Sequence, residues 1–332
     1  MENSETKAKK PRRIGRTILK VIGIILLTIL VLVAILAIRH RILTKRDLDS
    51  VANAYGEFYT TPEGEKMNYT FYDSPSDKVA VVLPGFGCPT VHYEFDTFVK
   101  ELSDEYKFVL VEPLGVGLSD GTDRERTVEN YCEELHGLMQ YLGYDSYTII
   151  GHSIGSLYSL YYANQFPDEV EAFIGIDGTI PKQKDRDEWV AKPENTYTAY
   201  KLINGLMYKT GIYRIMTELS FDQTMAQIPT LTDADRDTVL ALYCSTQLNK
   251  TQMNEMKNMA HNMDVTYDMK FPESVPVLYV LAQDNCDIFP QWEQYHKEIV
   301  TSPESRVVVI EGEHYLHFSS LDELVSQIKD WN

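Results

Sequence analysis

The feature that most constrains this 332-residue chain is a five-residue turn, Gly151-His152-Ser153-Ile154-Gly155. It follows a short apolar, β-branched run at 147–150, which predicts a buried strand. It precedes residues 156–165, which contain neither proline nor glycine and therefore predict a helix. A Gly-x-Ser-x-Gly sequence between a strand and a helix is typical of a nucleophile elbow, a strained turn that holds the serine hydroxyl above a sheet. The sequence thus predicts Ser153 as a nucleophile, and the alternative is a glycine-rich turn with an idle serine.

The formal charge of −18 is unevenly distributed along the chain. Residues 1–46 contain 11 of the 31 lysines and arginines but only 2 of the 49 acidic residues, so the remainder is strongly acidic. An acidic body repels phosphate backbones, which argues against nucleic acid as a partner. We interpret the acidity as a solvated surface.

The cysteines give no sign of a metal or redox site. Cys88, Cys132, Cys244 and Cys286 show no Cys-x-x-Cys spacing, and no histidines cluster with them. We expect buried thiols, with one disulfide left open as an alternative. The sequence implies no metal and no organic cofactor.

The N-terminal region contains a long apolar segment. Residues 21–38 carry no charge and are dominated by Ile, Leu and Val. A helix needs about 20 such residues to cross a bilayer, whereas the apolar region of a cleaved signal peptide is usually about 7–15 residues long. We therefore predict a basic tail over 1–17, a transmembrane helix over 18–38 and a linker over 39–52, with a cleaved signal peptide as the alternative.

Charges on either side of this segment predict its orientation. Seven basic residues precede it and four follow it within residues 39–46. Because basic flanks favour the cytoplasmic side, the N-terminus is expected in the cytoplasm. The large acidic domain would then lie on the outer side of the cell membrane, with the lipid bilayer as a partner of the chain.

Beyond the linker, strand-like and helix-like segments alternate. This pattern predicts an α/β fold with a mainly parallel central sheet and helices on both faces. The predicted strands lie at 55–60, 67–72, 79–83, 108–111, 147–150, 172–176, 277–281 and 306–310. The predicted helices lie at 90–103, 127–142 and 156–165, with a closing helix after residue 321.

Four sequence blocks carry a resemblance to a known family. They read VVLPGFG at 81–87, EPLGVGLSD at 112–120, GHSIG at 151–155 and EGEHYLH at 311–317. In this order they resemble the α/β-hydrolase fold family of the lipase and esterase type, over residues 53–332. The resemblance implies a helical cap over the active site, at about 180–272, and a catalytic order of serine, acid and histidine.

A serine hydroxyl needs a base within hydrogen-bond reach, and that base should lie late in the chain. His314 fits, because it lies in the loop that follows the predicted strand 306–310. His317, three residues further on, is the alternative. His152 precedes the nucleophile, and we expect it to be a packed structural residue.

The acid that orients the histidine is harder to assign. The family's usual position for it falls on Asn285, so this chain departs from the pattern. We favour Asp284, one residue away in the loop expected after the strand 277–281. Asp287, in the same loop, and Asp177, after the earlier strand 172–176, stay open.

The resemblance also implies an oxyanion hole formed by the backbone N–H groups of Phe86 and Ile154. The sequence therefore predicts a membrane-anchored serine hydrolase that acts on a small-molecule ester or amide through an acyl-enzyme. Serine at the elbow, where relatives of the epoxide and haloalkane branches have aspartate, argues against those branches. An acyltransferase and a non-catalytic binding protein of the same fold are the alternatives.

Overall fold

The computed structural model describes residues 12–185 and 193–331. Its centre is an eight-stranded sheet with the strand order β1-β2-β4-β3-β5-β6-β7-β8. From β3 onward neighbouring strands are parallel, while β1 and β2 join one edge in antiparallel fashion. The strands are β1 (Glu57–Thr60), β2 (Lys66–Tyr72), β3 (Val79–Leu83), β4 (Lys107–Glu112), β5 (Tyr147–His152), β6 (Val170–Ile176), β7 (Val277–Ala282) and β8 (Arg306–Ile310).

The central strands are buried on both faces. Every residue of β3, β5 and β7 is buried, as the continuous apolar runs in their sequences predict. Side chains alternate between two cores because successive residues of a strand point to opposite faces. Val81 and Ile149 belong to one core, and the adjacent Val82 and Ile150 belong to the other. The predicted fold class is confirmed.

Helices cover both faces of the sheet. Before β6 they are α1 (Arg12–Val51), α2 (Val91–Glu94), α3 (Asp96–Glu101), α4 (Val128–Leu142) and α5 (Ile154–Gln165). Between β6 and β7 lie α6 (Pro193–Thr210), α7 (Ile212–Gln227), α8 (Arg236–Ser245) and α9 (Lys250–Thr266), in the region predicted to form the cap. The last are α10 (Gln283–Ile288), α11 (Trp292–Ile299), α12 (Leu316–Ser319) and α13 (Leu321–Lys329).

The N-terminal helix is longer than the sequence predicted. α1 continues without a break through Val51, so the predicted linker over 39–52 is helical almost to its end. The apolar part of α1 is exposed, and this helix is long and apolar enough to span a membrane or to serve as a signal sequence. Residues 1–11 of the predicted basic tail lie outside the described residues.

The predicted linker is helical because it has a packing partner. The Arg214 guanidinium of α7 donates to Asp47 at 2.7 Å and to the Thr44 hydroxyl at 3.1 Å. Arg214 and Asp47 are both buried, at 3% and 6% exposure. A buried charge requires a partner of this kind, so the pair fixes α1 to the cap.

The block EPLGVGLSD forms the loop that follows β4. Glu112 is buried, and its carboxylate accepts hydrogen bonds from the Thr90 hydroxyl at 2.8 Å and the amides of Val91 and Leu118 at 3.0 and 2.7 Å. Burial raises the pKa of Glu112, and the bonds from these donors oppose that shift. The carboxylate thereby joins the end of β4 to the start of α2.

Candidate active site

Ser153 lies at the turn between β5 and α5 in a strained conformation. Its φ of 51° and ψ of −121° place it in a region that residues other than glycine seldom adopt. The Ser153 amide donates to the Ile176 carbonyl at 3.2 Å, and the Thr179 amide donates to the Ser153 carbonyl at 2.8 Å. The backbone beyond the end of β6 therefore holds the turn.

The glycines on either side of Ser153 are required by close packing. A Cβ atom on Gly155 would lie 2.9 Å from the Leu83 carbonyl oxygen, and one on Gly151 would lie 2.9 Å from the Gly155 carbonyl carbon. Real Cβ atoms essentially never approach other atoms so closely. The strained strand-turn-helix predicted for this sequence is therefore present.

His314 lies in the loop after β8, as predicted, and its partner is Asp177. The His314 Nδ1–H donates to the Asp177 carboxylate at 2.6 Å, and Asp177 is fully buried at 0% exposure. The other oxygen of this carboxylate accepts from the Ala282 amide at 3.0 Å and the Trp292 indole N–H at 3.1 Å. Asn285 also donates to Asp177. These donors stabilise the carboxylate at a position buried from solvent.

The structure does not place Asp284 against His314, contrary to the prediction. Residues after β7 form the helix α10 rather than the expected loop, and Asp284 is exposed on it. Its backbone amide contacts the Gly312 carbonyl at 3.4 Å, but its side chain makes no hydrogen bond with His314 among the described residues. Asp287 is also exposed, and it accepts from Gln283 at 2.7 Å.

Helical geometry explains why Asn285 rather than Asp284 faces the histidine. Adjacent helical residues point in directions about 100° apart, so only one of the two can face Asp177. The Asn285 amide nitrogen lies 3.3 Å from His314 Nδ1 as well as bonding to Asp177. Asn285, at the family's usual position for the acid, therefore donates through its amide to Asp177, which follows a different strand.

Asp177 reaches this place because β6 and β7 are neighbours. Ile176 pairs with Val280, so the residues that follow both strands emerge at the same edge of the sheet. The sequence signal was an Asp-Gly pair directly after a buried strand, which a turn-forming aspartate would also give. Asp177 also has a positive φ of 40°, which sequence does not reveal.

The predicted oxyanion donors lie close to the nucleophile. A Cβ on Gly85, the residue before Phe86, would lie 3.2 Å from the Ser153 Cβ. Ile154 follows Ser153 and begins α5, where an amide has no acceptor within the helix. Within residues 12–185 and 193–331, neither the Phe86 nor the Ile154 amide donates a hydrogen bond. Both donors are thus available to a ligand.

The serine and the histidine lie on the same edge of the sheet. The ring of His152, the residue before Ser153, has its centroid 4.9 Å from that of His314, and its Nε2 lies 3.3 Å from the His314 carbonyl oxygen. In the described part of the chain no hydrogen bond joins the Ser153 hydroxyl to His314. Such bonds are often long in enzymes without substrate and tighten when substrate binds.

A family model described as the alpha/beta hydrolase fold matches residues 80–321, which is more than half of the chain. The chain belongs to the α/β-hydrolase family. Among solved structures, Cfl2 from Burkholderia cenocepacia gives a TM-score of 0.65 at 17% identity, covering 83% of this chain and 99% of that one. A mutant epoxide hydrolase from Bacillus megaterium gives 0.64 at 14% identity, covering 83% and 99%. These likenesses concern the fold.

Curated relatives of this α/β hydrolase match only in part. The uncharacterized protein YbdG of Bacillus subtilis is 23% identical over 230 residues, 66% of this chain and 66% of that protein. Epoxide hydrolase 1 of Caenorhabditis elegans is 30% identical over 115 residues, 33% of this chain and 28% of that enzyme. The matched stretches thus span less than two thirds of these relatives.

The two other histidines considered from the sequence, His317 and His152, pack beside His314. His317, the alternative base, is buried, and its ring stacks on Phe95 with centroids 4.5 Å apart. His152 is buried as expected, and burial holds its pKa well below the ordinary value. Of these three histidines, His314 alone bonds to Asp177. His317 and His152 contribute packing beside the site.

A cavity of about 430 Å³ lies between the cap and the loops that carry the site. The core side contributes Gly87 and Cys88, just after Phe86, and Tyr315, just after His314. The cap side contributes Thr224, Tyr243 and Gln247 from the region of α7 and α8. This α/β hydrolase therefore has space for a small molecule beside the loops that carry Phe86 and His314.

No metal site and no disulfide is found in the part of the chain that the structure describes. Across 12–185 and 193–331 no three His, Cys, Asp or Glu side chains are grouped to hold a metal ion. All four cysteines are free thiols, three of them buried and Cys286 partly exposed. The disulfide left open by the sequence is therefore not formed here.

Proposed function

We propose that this chain is a membrane-anchored serine hydrolase that cleaves carboxylic esters or amides through Ser153, His314 and Asp177. The observation that carries the proposal is the 2.6 Å bond between His314 Nδ1 and Asp177, beside a serine held on a strained elbow. The bond leaves His314 Nε2 as the proton acceptor, since a neutral imidazole carries one N–H.

In the proposed first step the Ser153 Oγ attacks the substrate carbonyl carbon while its proton passes to His314 Nε2. The carbonyl oxygen becomes an oxyanion, which the amides of Phe86 and Ile154 would stabilise. The imidazolium then gives its proton to the departing alcohol or amine as the carbonyl–leaving-group bond breaks. An acyl group remains on Ser153.

Water completes the cycle by the same route. His314 takes a proton from the water, the resulting oxygen attacks the acyl carbon, and Ser153 recovers its proton as the carboxylic acid leaves. Asp177 holds the imidazole tautomer and stabilises its positive form throughout, without itself taking a proton. These reaction steps use no further group of the protein.

The names of the relatives agree with hydrolysis but do not agree on the bond cleaved. They include an epoxide hydrolase and 2-(acetamidomethylene)succinate hydrolase of Mesorhizobium japonicum, the latter 31% identical over 85 residues. Serine at the elbow favours acyl transfer over epoxide opening for this chain. The same acyl-enzyme could pass its acyl group to an alcohol or amine, and product analysis with competing acceptors distinguishes that activity.

Reaction with a fluorophosphonate tests the proposal directly. We expect the full chain to be labelled on one serine, and mass mapping should place the label on the peptide that contains Ser153. Labelling requires an activated serine beside a base, so a denatured sample should stay unlabelled. A folded chain that takes no label would instead favour a non-catalytic binding protein of this fold.

We also propose that α1 anchors the protein with its N-terminus in the cytoplasm and the hydrolase domain outside. The support is the length of the exposed apolar helix and the larger number of basic residues before it.

A further inference from the structure

The cavity beside the catalytic loops is acidic and aromatic. Glu94 and Glu313 line it together with the rings of Tyr243, Tyr315 and Phe318. No lysine or arginine lines it in the described part of the chain. The faces of aromatic rings attract cations, as do carboxylates.

Glu94 is the decisive residue of this cavity. It is only 5% exposed, and the basic group paired with it, His317 Nε2, lies 3.7 Å away, beyond hydrogen-bond distance. Gln247 Oε1 is also buried and accepts no hydrogen bond among the described residues. The Gln247 oxygen is thus a buried acceptor without a donor, which costs free energy that a cationic ligand would recover, whereas the carboxylate of Glu94 has no cationic partner within hydrogen-bond distance.

We propose that this cavity binds an organic ammonium group, so that the preferred substrates are esters or amides that carry a positive charge. The inference rests on the proposed function, because the cavity opens between the loop of Phe86 and the loop of His314. Glu94 supplies the opposite charge, and the aromatic rings supply faces for the alkyl groups of the cation.

Choline and 3,3-dimethylbutan-1-ol provide the test, since they have the same shape and differ in the charged nitrogen. We expect the full chain to bind choline about tenfold or more tightly than the neutral alcohol, measured by ligand-observed NMR. Glu94→Gln should remove this difference. Glu304→Gln, the same change at an exposed position before β8, should retain it.

Equal affinity of the two ligands for the unmodified chain would overturn the proposal, as would an unchanged preference in the Glu94→Gln variant. Fluorophosphonate labelling of Ser153 is measured on the same samples. In the unmodified chain, labelling without choline preference refutes the ammonium site alone, whereas absence of labelling refutes the serine-hydrolase function.

A second, independent observation concerns the cap surface. α7 has a buried face formed by Arg214, Thr217 and Phe221. Its other face presents Ile212, Met216 and Leu219, which are 38%, 54% and 82% exposed and follow helical spacing. On α6, Leu202, Ile203 and Leu206 are 72%, 57% and 60% exposed. We call these six side chains the apolar cap face.

This face lies beside the end of the apolar segment of α1. A Cβ on Gly211 would lie 3.1 Å from the Leu36 carbonyl oxygen, and Glu218 accepts from Arg39 at 3.0 Å. Between them, Arg214 bonds to Thr44 and Asp47 of the same helix. The first part of α7 therefore contacts α1 from Leu36, just before the predicted end of the membrane segment at residue 38, to Asp47 beyond it.

We infer that the apolar cap face rests in the surface of the bilayer that α1 spans. A helix with one polar, buried face and one apolar, exposed face is typical of segments that lie in a membrane interface. The inference depends on the proposed anchoring, which supplies the bilayer at this level.

Depth-dependent quenching tests the inference on the full chain in lipid vesicles. With Cys286 replaced by Ser, the environment-sensitive dye NBD is attached at Met216→Cys or Leu219→Cys. We expect blue-shifted emission that lipids brominated on their acyl chains quench. The control is Asp145→Cys, an exposed position just before β5, at the amino ends of the parallel strands and therefore away from the cap at their carboxyl ends. A dye at this position should show the emission expected in water.

Water-like emission at residues 216 and 219 in protein that floats with the vesicles would overturn the cap contact and leave the anchor intact. Crosslinking of two chains through these positions, without quenching, would assign the face to a second copy and also overturn it. Failure of the chain to float with vesicles would refute both the anchor and the cap contact.

Discussion

Replacing Ser153 by Ala is expected to lower kcat on the order of 10⁶-fold for an ester substrate and to abolish fluorophosphonate labelling. The reason is that in the proposed mechanism this hydroxyl forms the acyl-enzyme, and no other group of the site would replace its oxygen. His314→Ala should cost about as much, because without its base the hydroxyl keeps its proton at neutral pH. Steady-state kinetics on the purified variants measures both losses.

The two losses should not add. The double variant Ser153→Ala with His314→Ala is expected to be no slower than either single variant, since the two residues act as one unit. Ser159→Ala is the matched control, because it removes a buried hydroxyl that bonds to the Gly155 carbonyl at 2.7 Å on the same helix. If the control loses as much as Ser153→Ala, the serines act through packing, and the proposed mechanism is wrong.

The second large effect is expected at Asp177. Asp177→Asn should lower kcat about 10⁴-fold, with a smaller change in KM. An amide in this place cannot stabilise the imidazolium, and it can favour the tautomer that carries its proton on Nε2. His314 would then be unable to accept the serine proton.

Asp284→Asn makes the same chemical change on an exposed residue of α10, and its activity should stay within a small factor of the parent. Combining Asp177→Asn with Asn285→Asp should recover part of the loss, because residue 285 already lies 3.3 Å from His314 Nδ1. A large loss in Asp284→Asn, or an active Asp177→Asn, would contradict the assignment made from the structure.

Local sequence patterns predicted most of the sheet well. β3 and β8 have the predicted bounds, and the other strands differ by a few residues at their ends. These predictions succeed because side-chain periodicity and turn residues act over short distances along the chain. The elbow belongs to the same class, since its glycines and its strained serine lie within five consecutive residues.

The helix of residues 39–51 shows where local reasoning fails. Its polar and charged side chains are also typical of a linker, and it packs as a helix through contacts with distant residues, among them the buried pair of Asp47 with Arg214, 167 residues away. A contact between residues so far apart in the chain leaves no trace in a local sequence pattern, so such a pattern cannot predict it. The apolar cap face is similar, because Met216 and Leu219 would equally suit the core until the opposite face of α7 is found buried.

By itself, the sequence determined the order of strands and helices, the elbow at Ser153 and the late histidine, because each depends on residues that are close together in the chain. Only the tertiary structure decided which carboxylate meets that histidine. The side chains after β6 and β7 converge since these strands pair in parallel, and the start of α10 turns Asp284 outward. Asp177 thereby becomes the buried partner of His314. The physical reason is that the pairing of β6 with β7 and the orientation of α10 bring together residues that are distant in the chain.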